Sequence, residues 1–267
     1  MHSYEIFQQH AKVRWELTDI PWSELKPEAV REEEIRIARA LAFGESNAIA
    51  ALHLFLNETP DDYDFSAYAS LWSFEEIRHH YAFRTWLEHV GQPVDDKKIN
   101  AMREAYPNGI SHASTIATNL ISELSLTHVY AFFAQNLTEP VLKDIFRRLS
   151  QDEARHAADF RFYLLRRLER HPNELASVLE TLYVYLSDPE RPIKHPVDIF
   201  KSQLAGVTDS KDTEMPDDAF AYFLSLNQET TRLPQLRKRI FSSFSGVTGR
   251  PLTSLYDVRR EIAACTA

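Results

Sequence analysis

From Glu28 to Glu58 the apolar residues Ile37, Leu41, Ala48, Leu52 and Phe55 recur at steps of three, four and seven, the spacing of one face of a helix. Pro60-Asp61-Asp62 ends that run. A second helix is predicted from about Asp64 to His89, where Val90-Gly91-Gln92-Pro93 supplies a glycine-then-proline stop. Residues 94–107 read as a charged helical connection closing on the turn signal Pro107-Asn108-Gly109. A third helix follows from about His112 to Asn136. Thr138-Glu139-Pro140 then caps a fourth, which runs to about Arg170 before His171-Pro172. Shorter helical segments are predicted near 173–187, 217–228, 234–244 and 252–264. Residues 1–27 read as an irregular lead-in with short helical pieces, carrying Trp15 and Trp22. No low-complexity linker interrupts the series. The expectation is one all-α domain over 1–267, with a four-helix core at about 28–170 and a C-terminal helical extension from about 171.

Composition narrows this picture. The 267 residues are 44% hydrophobic and 26% charged, too apolar for a disordered chain, and six glycines leave few tight hairpins for an all-β fold. A formal net charge of −9 argues against binding to a nucleic-acid backbone. Cys265 is the single cysteine, so no intrachain disulfide can form. Residues 1–20 lack the apolar stretch of a signal peptide, and the apolar run Ala48–Leu56 is broken by His53 and too short to span a bilayer. These features lead to the expectation of a cytoplasmic protein without a membrane partner.

Candidate chemistry lies in Glu76-Ile77-Arg78-His79 on the second helix and Glu153-Ala154-Arg155-His156 on the fourth. In Glu-x-x-His the carboxylate and imidazole lie one turn apart on one helix face, within reach of one metal. With 23 Glu and 11 His, about one such pair arises by chance, so either motif alone says little. The spacing of further glutamates says more: Glu45 stands 31 residues before Glu76, and Glu123 stands 30 before Glu153. At ~1.5 Å per residue the chain travels about 20 Å from Glu45 to the helix end and about 18 Å back to Glu76, so both reach one level. The second half repeats the arithmetic. Four Glu and two His at one depth of a helical bundle form a ligand set for a carboxylate-bridged di-iron or di-manganese site. Four carboxylates balance two divalent cations, and the absence of thiolate favours Fe or Mn over a structural zinc.

Neighbouring positions repeat too. Glu75 and Asp152 each precede the motif histidine of their own helix by four residues, where a carboxylate can accept the second imidazole N–H. Phe83 and Phe160 lie one turn beyond the two histidines as a candidate apolar shield. Thr127, four after Glu123, is a candidate catalytic hydroxyl, with a backbone-bonded threonine as the alternative. His53, His80, His89, His128, His171 and His195 read as surface, capping or core groups.

Glu-Glu-Ile-Arg-His-His at 75–80 and Asp-Glu-Ala-Arg-His at 152–156 resemble the ferritin-like superfamily, and within it the soluble acyl-carrier-protein desaturases. The resemblance implies a ferritin-like bundle with Glu45 and His79 on one iron, Glu123 and His156 on the other, and Glu76 and Glu153 bridging. It also implies O₂ as co-substrate, a ferredoxin-type electron donor, a homodimer, and a small-molecule or acyl-carrier-linked substrate that is desaturated or hydroxylated. Leu126 stands where desaturases often carry Thr, and Leu149 where N-oxygenases carry an additional His. Other di-iron tailoring oxygenases and aldehyde-deformylating oxygenases share the ligand set. Iron storage by a ferritin-type cage is the non-enzymatic alternative, for which the residues after His171 are surplus.

Overall fold

The computed structural model describes residues 1–101, 109–187 and 233–266. Among these the structure is all-α, with no strand. The helices are α1 (His2–Val13), α2 (Glu32–Ser46), α3 (Ala48–Glu58), α4 (Tyr63–His89), α5 (Asp96–Ala101), α6 (His112–Asn136), α7 (Pro140–Arg170), α8 (Leu175–Ser187), α9 (Leu233–Thr248) and α10 (Leu255–Thr266). The segments predicted near 217–228 and over 102–107, and His195, lie outside the described residues.

Local chemistry sets the ends of the long helices. Asp62 caps α4 by accepting from the Phe65 N–H at 3.0 Å, and the stop after His89 places Gly91 at φ +74°, a conformation glycine adopts without a Cβ clash. Ser111 and Ser114 cap α6 reciprocally, at 3.1 and 2.8 Å. Glu139 caps α7, accepting from Val141 and Leu142 N–H at 3.2 and 2.7 Å, with Pro140 in the first turn.

The first predicted helix is corrected at both its start and its middle. Residues Pro27–Ala29 form a single 3₁₀ turn, the helix begins at Glu32, and it is interrupted at Asn47, so Glu28–Glu58 is not one rod. Ser46 Oγ takes the Phe43 carbonyl at 2.7 Å, while the Asn47 N–H turns to Gly44 O at 3.1 Å, one residue short of the α-helical partner. Side chains of Ser and Asn that bond the backbone compete with the helix ladder, and here they accompany its break at Asn47, two residues after Glu45.

Partners run in opposite order along neighbouring helices. Gln92, His80 and Ser73 of the α4 strip meet Arg39, Ala42 and Ala48, so α2–α3 and α4 are antiparallel. Ser150 meets Thr127 while Glu174, beyond α7, meets Ala113, so α6 and α7 are antiparallel. Tyr163 meets Asp64 and Asp152 meets Arg78, so α4 and α7 are antiparallel as well. It follows that α4 and α6 run in the same direction. This arrangement is compatible with the expected four-helix core.

The apolar interior falls into two clusters. One holds Phe55, Phe65, Tyr68, Trp72, Leu120, Leu124, Phe160 and Tyr163, and the C-terminal helices add Leu179, Leu236, Phe244 and Val258 to it. The other holds Ile37, Leu41, Phe83, Trp86, Tyr130, Phe133, Phe146 and Leu149. Along α4 and α7 the gap between the clusters spans 73–81 and 150–156, which hold the motif residues, and on α6 it spans 125–128, just past Glu123. A charged layer there must satisfy itself, because the surroundings offer no water-like compensation.

Candidate metal centre

All six predicted ligands are buried, Glu45 the most exposed at 6% and His79, Glu153 and His156 at 0%. They form two overlapping groups: Glu45, Glu76, His79 and Glu153, and Glu76, Glu123, Glu153 and His156. Within each group one donor atom per residue lies within 4.8 Å of the others, and Glu76 and Glu153 belong to both. His79 Nδ1 faces Glu153 Oε1 at 3.3 Å, Glu76 Oε2 at 3.5 Å and Glu45 Oε2 at 3.9 Å. His156 Nδ1 faces Glu76 Oε1 at 2.9 Å, Glu153 Oε2 at 3.0 Å and Glu123 Oε2 at 3.7 Å. The cluster therefore has the donors to hold metal. Glu76 Oε1, His79 Nδ1, Glu123 Oε2 and Glu153 Oε1 are buried without a hydrogen-bond partner, and orphaned buried acceptors converging on one space fit a cation.

The charges fit the same need. Burial, then the nearby Glu76 carboxylate, pushes the Glu45 carboxyl well above the usual range. Burial, then Glu153 and Glu76, does the same to Glu123. Burial would lower the two imidazoles, but surrounding carboxylates win and raise both His79 and His156 well above the ordinary histidine value. Glu76, despite its burial, is held below the usual carboxylate range by His79 and His156. Protons thus take up the balancing role that two divalent cations can fill.

The outer nitrogens of the histidines find carboxylates, but not those of their own helices. His79 Nε2 pairs with Asp152 of α7 at 3.0 Å, and His156 Nε2 pairs with Glu75 of α4 at 3.0 Å. The expected same-helix pairing is thereby corrected. Four residues along a helix place Glu75 and His79 on one face, yet each imidazole points across the interface, where the facing helix brings a carboxylate to 3.0 Å. Burial opposes ionisation of Asp152, but His79's hydrogen bond and charge bring it down to about 2. Glu75 is likewise held low, against its burial, by His10 and His156.

The lead-in carries more of the site than its sequence disclosed. The three-turn α1 places buried His10 between Glu75, at 3.1 Å from Nδ1, and Asp159, at 3.0 Å from Nε2. Trp15 Nε1 donates to Asp152 at 2.8 Å, and its ring lies parallel to His79 with centroids 6.3 Å apart. Arg78 reaches Asp152 at 3.2 Å and sits 4.7 Å over the Trp15 ring. Two further aromatic donors reach ligands: Trp72 Nε1 donates to Glu123 Oε1 at 3.1 Å, and the Tyr130 hydroxyl donates to Glu45 Oε1. The repeated spacing gives no signal for these. Four residues before Glu153, where the repeat equivalent of Trp72 falls, stands Leu149; seven after Glu45, the equivalent of Tyr130, stands Leu52.

Phe83 and Phe160 are fully buried on opposite sides of the layer, Phe83 against Tyr130 and Phe146, Phe160 against Trp72, Tyr68 and Phe55. Thr127 is buried with its hydroxyl donating to the Glu123 carbonyl at 2.7 Å, the backbone-bonded alternative. His80 is a core group bonded to the Ala42 carbonyl at 2.6 Å, and His89 stacks on Trp22. No family model matches the chain, and no curated protein matches it in sequence. No helix among the described residues is long and apolar enough to cross a membrane.

Proposed function

We propose that the chain is an O₂-activating non-haem di-iron oxidoreductase of ferritin-like architecture, acting on an acyl chain or a similarly apolar substrate. The observation that carries this reading is the pair of overlapping donor groups sharing Glu76 and Glu153. The like direction of α4 and α6 agrees with a ferritin-like fold. The resemblance of 75–80 and 152–156 to acyl-carrier-protein desaturases supplies the substrate class, a ferredoxin-type donor and a homodimer.

Glu45 and His79 would hold one iron, Glu123 and His156 the other, and Glu76 and Glu153 would serve both. Bound iron would supply the reduction of O₂ to an oxidant strong enough to break an unactivated C–H bond. The chain's own share is orientation and exclusion of water. Asp152 and Glu75 take the Nε2–H of each imidazole, which turns each Nδ1 into the cluster, where it would ligate metal. The Phe83–Tyr130–Phe146 and Trp72–Phe160–Tyr68 walls keep the layer dry on both sides.

Anaerobic reconstitution with ferrous iron, metal counting, and exposure to O₂ with free and carrier-linked acyl chains test the reading. The expected result is two irons per chain and reductant-dependent O₂ uptake coupled to loss of two hydrogens or gain of oxygen in the acyl chain. A reduced two-iron protein that consumes no O₂ overturns the oxidase reading. Many irons per chain in a large shell would instead establish storage.

A further inference from the structure

Each unshared glutamate of the centre is held by a donor from the opposite helix pair. Tyr130 on α6 gives its hydroxyl proton to Glu45 Oε1 on α2, and Trp72 on α4 gives its indole N–H to Glu123 Oε1 on α6. Both donors are buried, Tyr130 at 0% and Trp72 at 5%, and aromatic neighbours lock their rings: Phe83 and Phe146 around Tyr130, Phe55 and Phe160 around Trp72. The remaining oxygens look the other way. Glu45 Oε2 lies 3.9 Å from His79 Nδ1, and Glu123 Oε2 lies 3.7 Å from His156 Nδ1 with no hydrogen-bond partner.

We infer that Tyr130 and Trp72 are positioning residues that restrict Glu45 and Glu123 to one ligating oxygen each, leaving every metal position short of protein donors. The inference rests on the dinuclear reading above. A carboxylate oxygen that accepts a fixed, buried donor is oriented away from a metal bound by its other oxygen, and rotating it inward would strand the donor in an apolar wall. The count then closes. One oxygen from the unshared glutamate, one imidazole nitrogen and one oxygen from each shared carboxylate give four protein donors per metal. Iron and manganese with oxygen and nitrogen ligands accommodate up to six, so each position keeps room for an exogenous ligand. Were both unshared glutamates to chelate, much of that room would close. Because the donors come from the opposite helix pair, room at each metal depends on how the two pairs sit against each other.

Cobalt(II) tests this without turnover, since its visible absorption weakens as coordination number rises. The wild-type protein loaded with two Co(II) is expected to show the intense bands of low-coordinate cobalt. Tyr130→Phe, which removes one oxygen atom and keeps the ring, should free Glu45 Oε1 to chelate and lower the intensity from one of the two ions. Trp72→Phe should do so for the other, and the two losses should add. Infrared difference spectra of the same samples should show the separation of the two carboxylate stretches narrowing in each variant. Unchanged cobalt bands and carboxylate stretches in a Tyr130→Phe protein that still binds two Co(II) overturn the positioning role and leave the dinuclear reading standing. A folded wild-type protein that fails to bind two Co(II) removes both. Should Trp72→Phe not fold, Tyr130→Phe decides the matter alone.

Discussion

Asp152 shows what a single side chain does here. It stands one residue from Glu153 and four from His156, yet the imidazole it bonds is His79, and it also gathers Trp15, Arg78 and Arg155. A carboxylate that fixes a ligating imidazole contributes about 10- to 100-fold in metal affinity. Asp152→Asn should therefore weaken one metal by about that factor, and the weakened metal should be the one that also needs Glu45. Isothermal titration separates the cases: in a Glu45→Ala background Asp152→Asn should add little, whereas with Glu123→Ala it should weaken the one metal left. The reverse pattern would restore the same-helix pairing. Protons give a second prediction at this scale. His79, His156, Glu45 and Glu123 are all raised above their ordinary values, so each holds its proton to higher pH and must release it to bind metal. Affinity should rise with increasing pH, with net proton release, read from titrations in buffers of different ionisation enthalpy; affinity flat with pH would contradict it. The clustering of the six predicted ligands was legible because one helix turn and two near-equal spacings, 31 and 30 residues, fix it. The residues bonding their outer atoms were not, because Tyr130, Trp72, His10 and Trp15 arrive across helix interfaces, where no chain spacing registers.

Helix boundaries were legible where a side chain caps the first turn, as at Asp62, at Ser111 with Ser114, and at Glu139. They were obscured where side chains compete with the ladder, as at Ser46 and Asn47 beside Glu45. The link from the start of α2 to the turn before α7 was also hidden, since it is made by one buried carboxylate. Glu34 accepts from Thr138 N–H at 2.6 Å, Thr138 Oγ1 at 2.9 Å, Glu139 N–H at 3.2 Å and Arg31 N–H at 3.0 Å. In the run Glu32-Glu33-Glu34 nothing in the sequence distinguishes Glu34 from its two acidic neighbours. Burial opposes its ionisation, but those backbone donors hold it below its ordinary value of 4.5. A carboxylate with a lowered folded value stabilises fully above the unfolded value and loses that contribution as pH falls through the folded one. Glu34→Gln should thus cost about 1–3 kcal/mol near neutrality, and the gap to wild type should close below about pH 4. Urea unfolding across that range provides the measurement. A gap that stays constant into acid would mean that the charge on Glu34 contributes nothing.

At the scale of the whole molecule, a layer of four carboxylates and two imidazoles separates two apolar clusters, and such a layer opposes folding until something balances it. Metal binding is then folding energy: at about 100 times the dissociation constant one bound ion adds about 2.7 kcal/mol, and a chain of this size gains about 2–4 °C per kcal/mol. A buried ionisable cluster held for function should also be stabilised by neutralising one of its members, since removing a buried charge without changing shape is often neutral or favourable. Glu45→Gln makes the two expectations diverge. The amide oxygen still accepts from Tyr130, and one carboxylate pushed up by Glu76 is gone. With chelator present the variant should melt at or above the wild-type temperature. With saturating metal it should melt below, because a charged ligand is missing where a cation sits. If Glu45→Gln lowered the melting temperature in both conditions by the same amount, Glu45 would be an ordinary structural contact and the layer would need no metal to explain it. Crossing of the two differences is therefore the signature of a core built around cations rather than around hydrogen bonds.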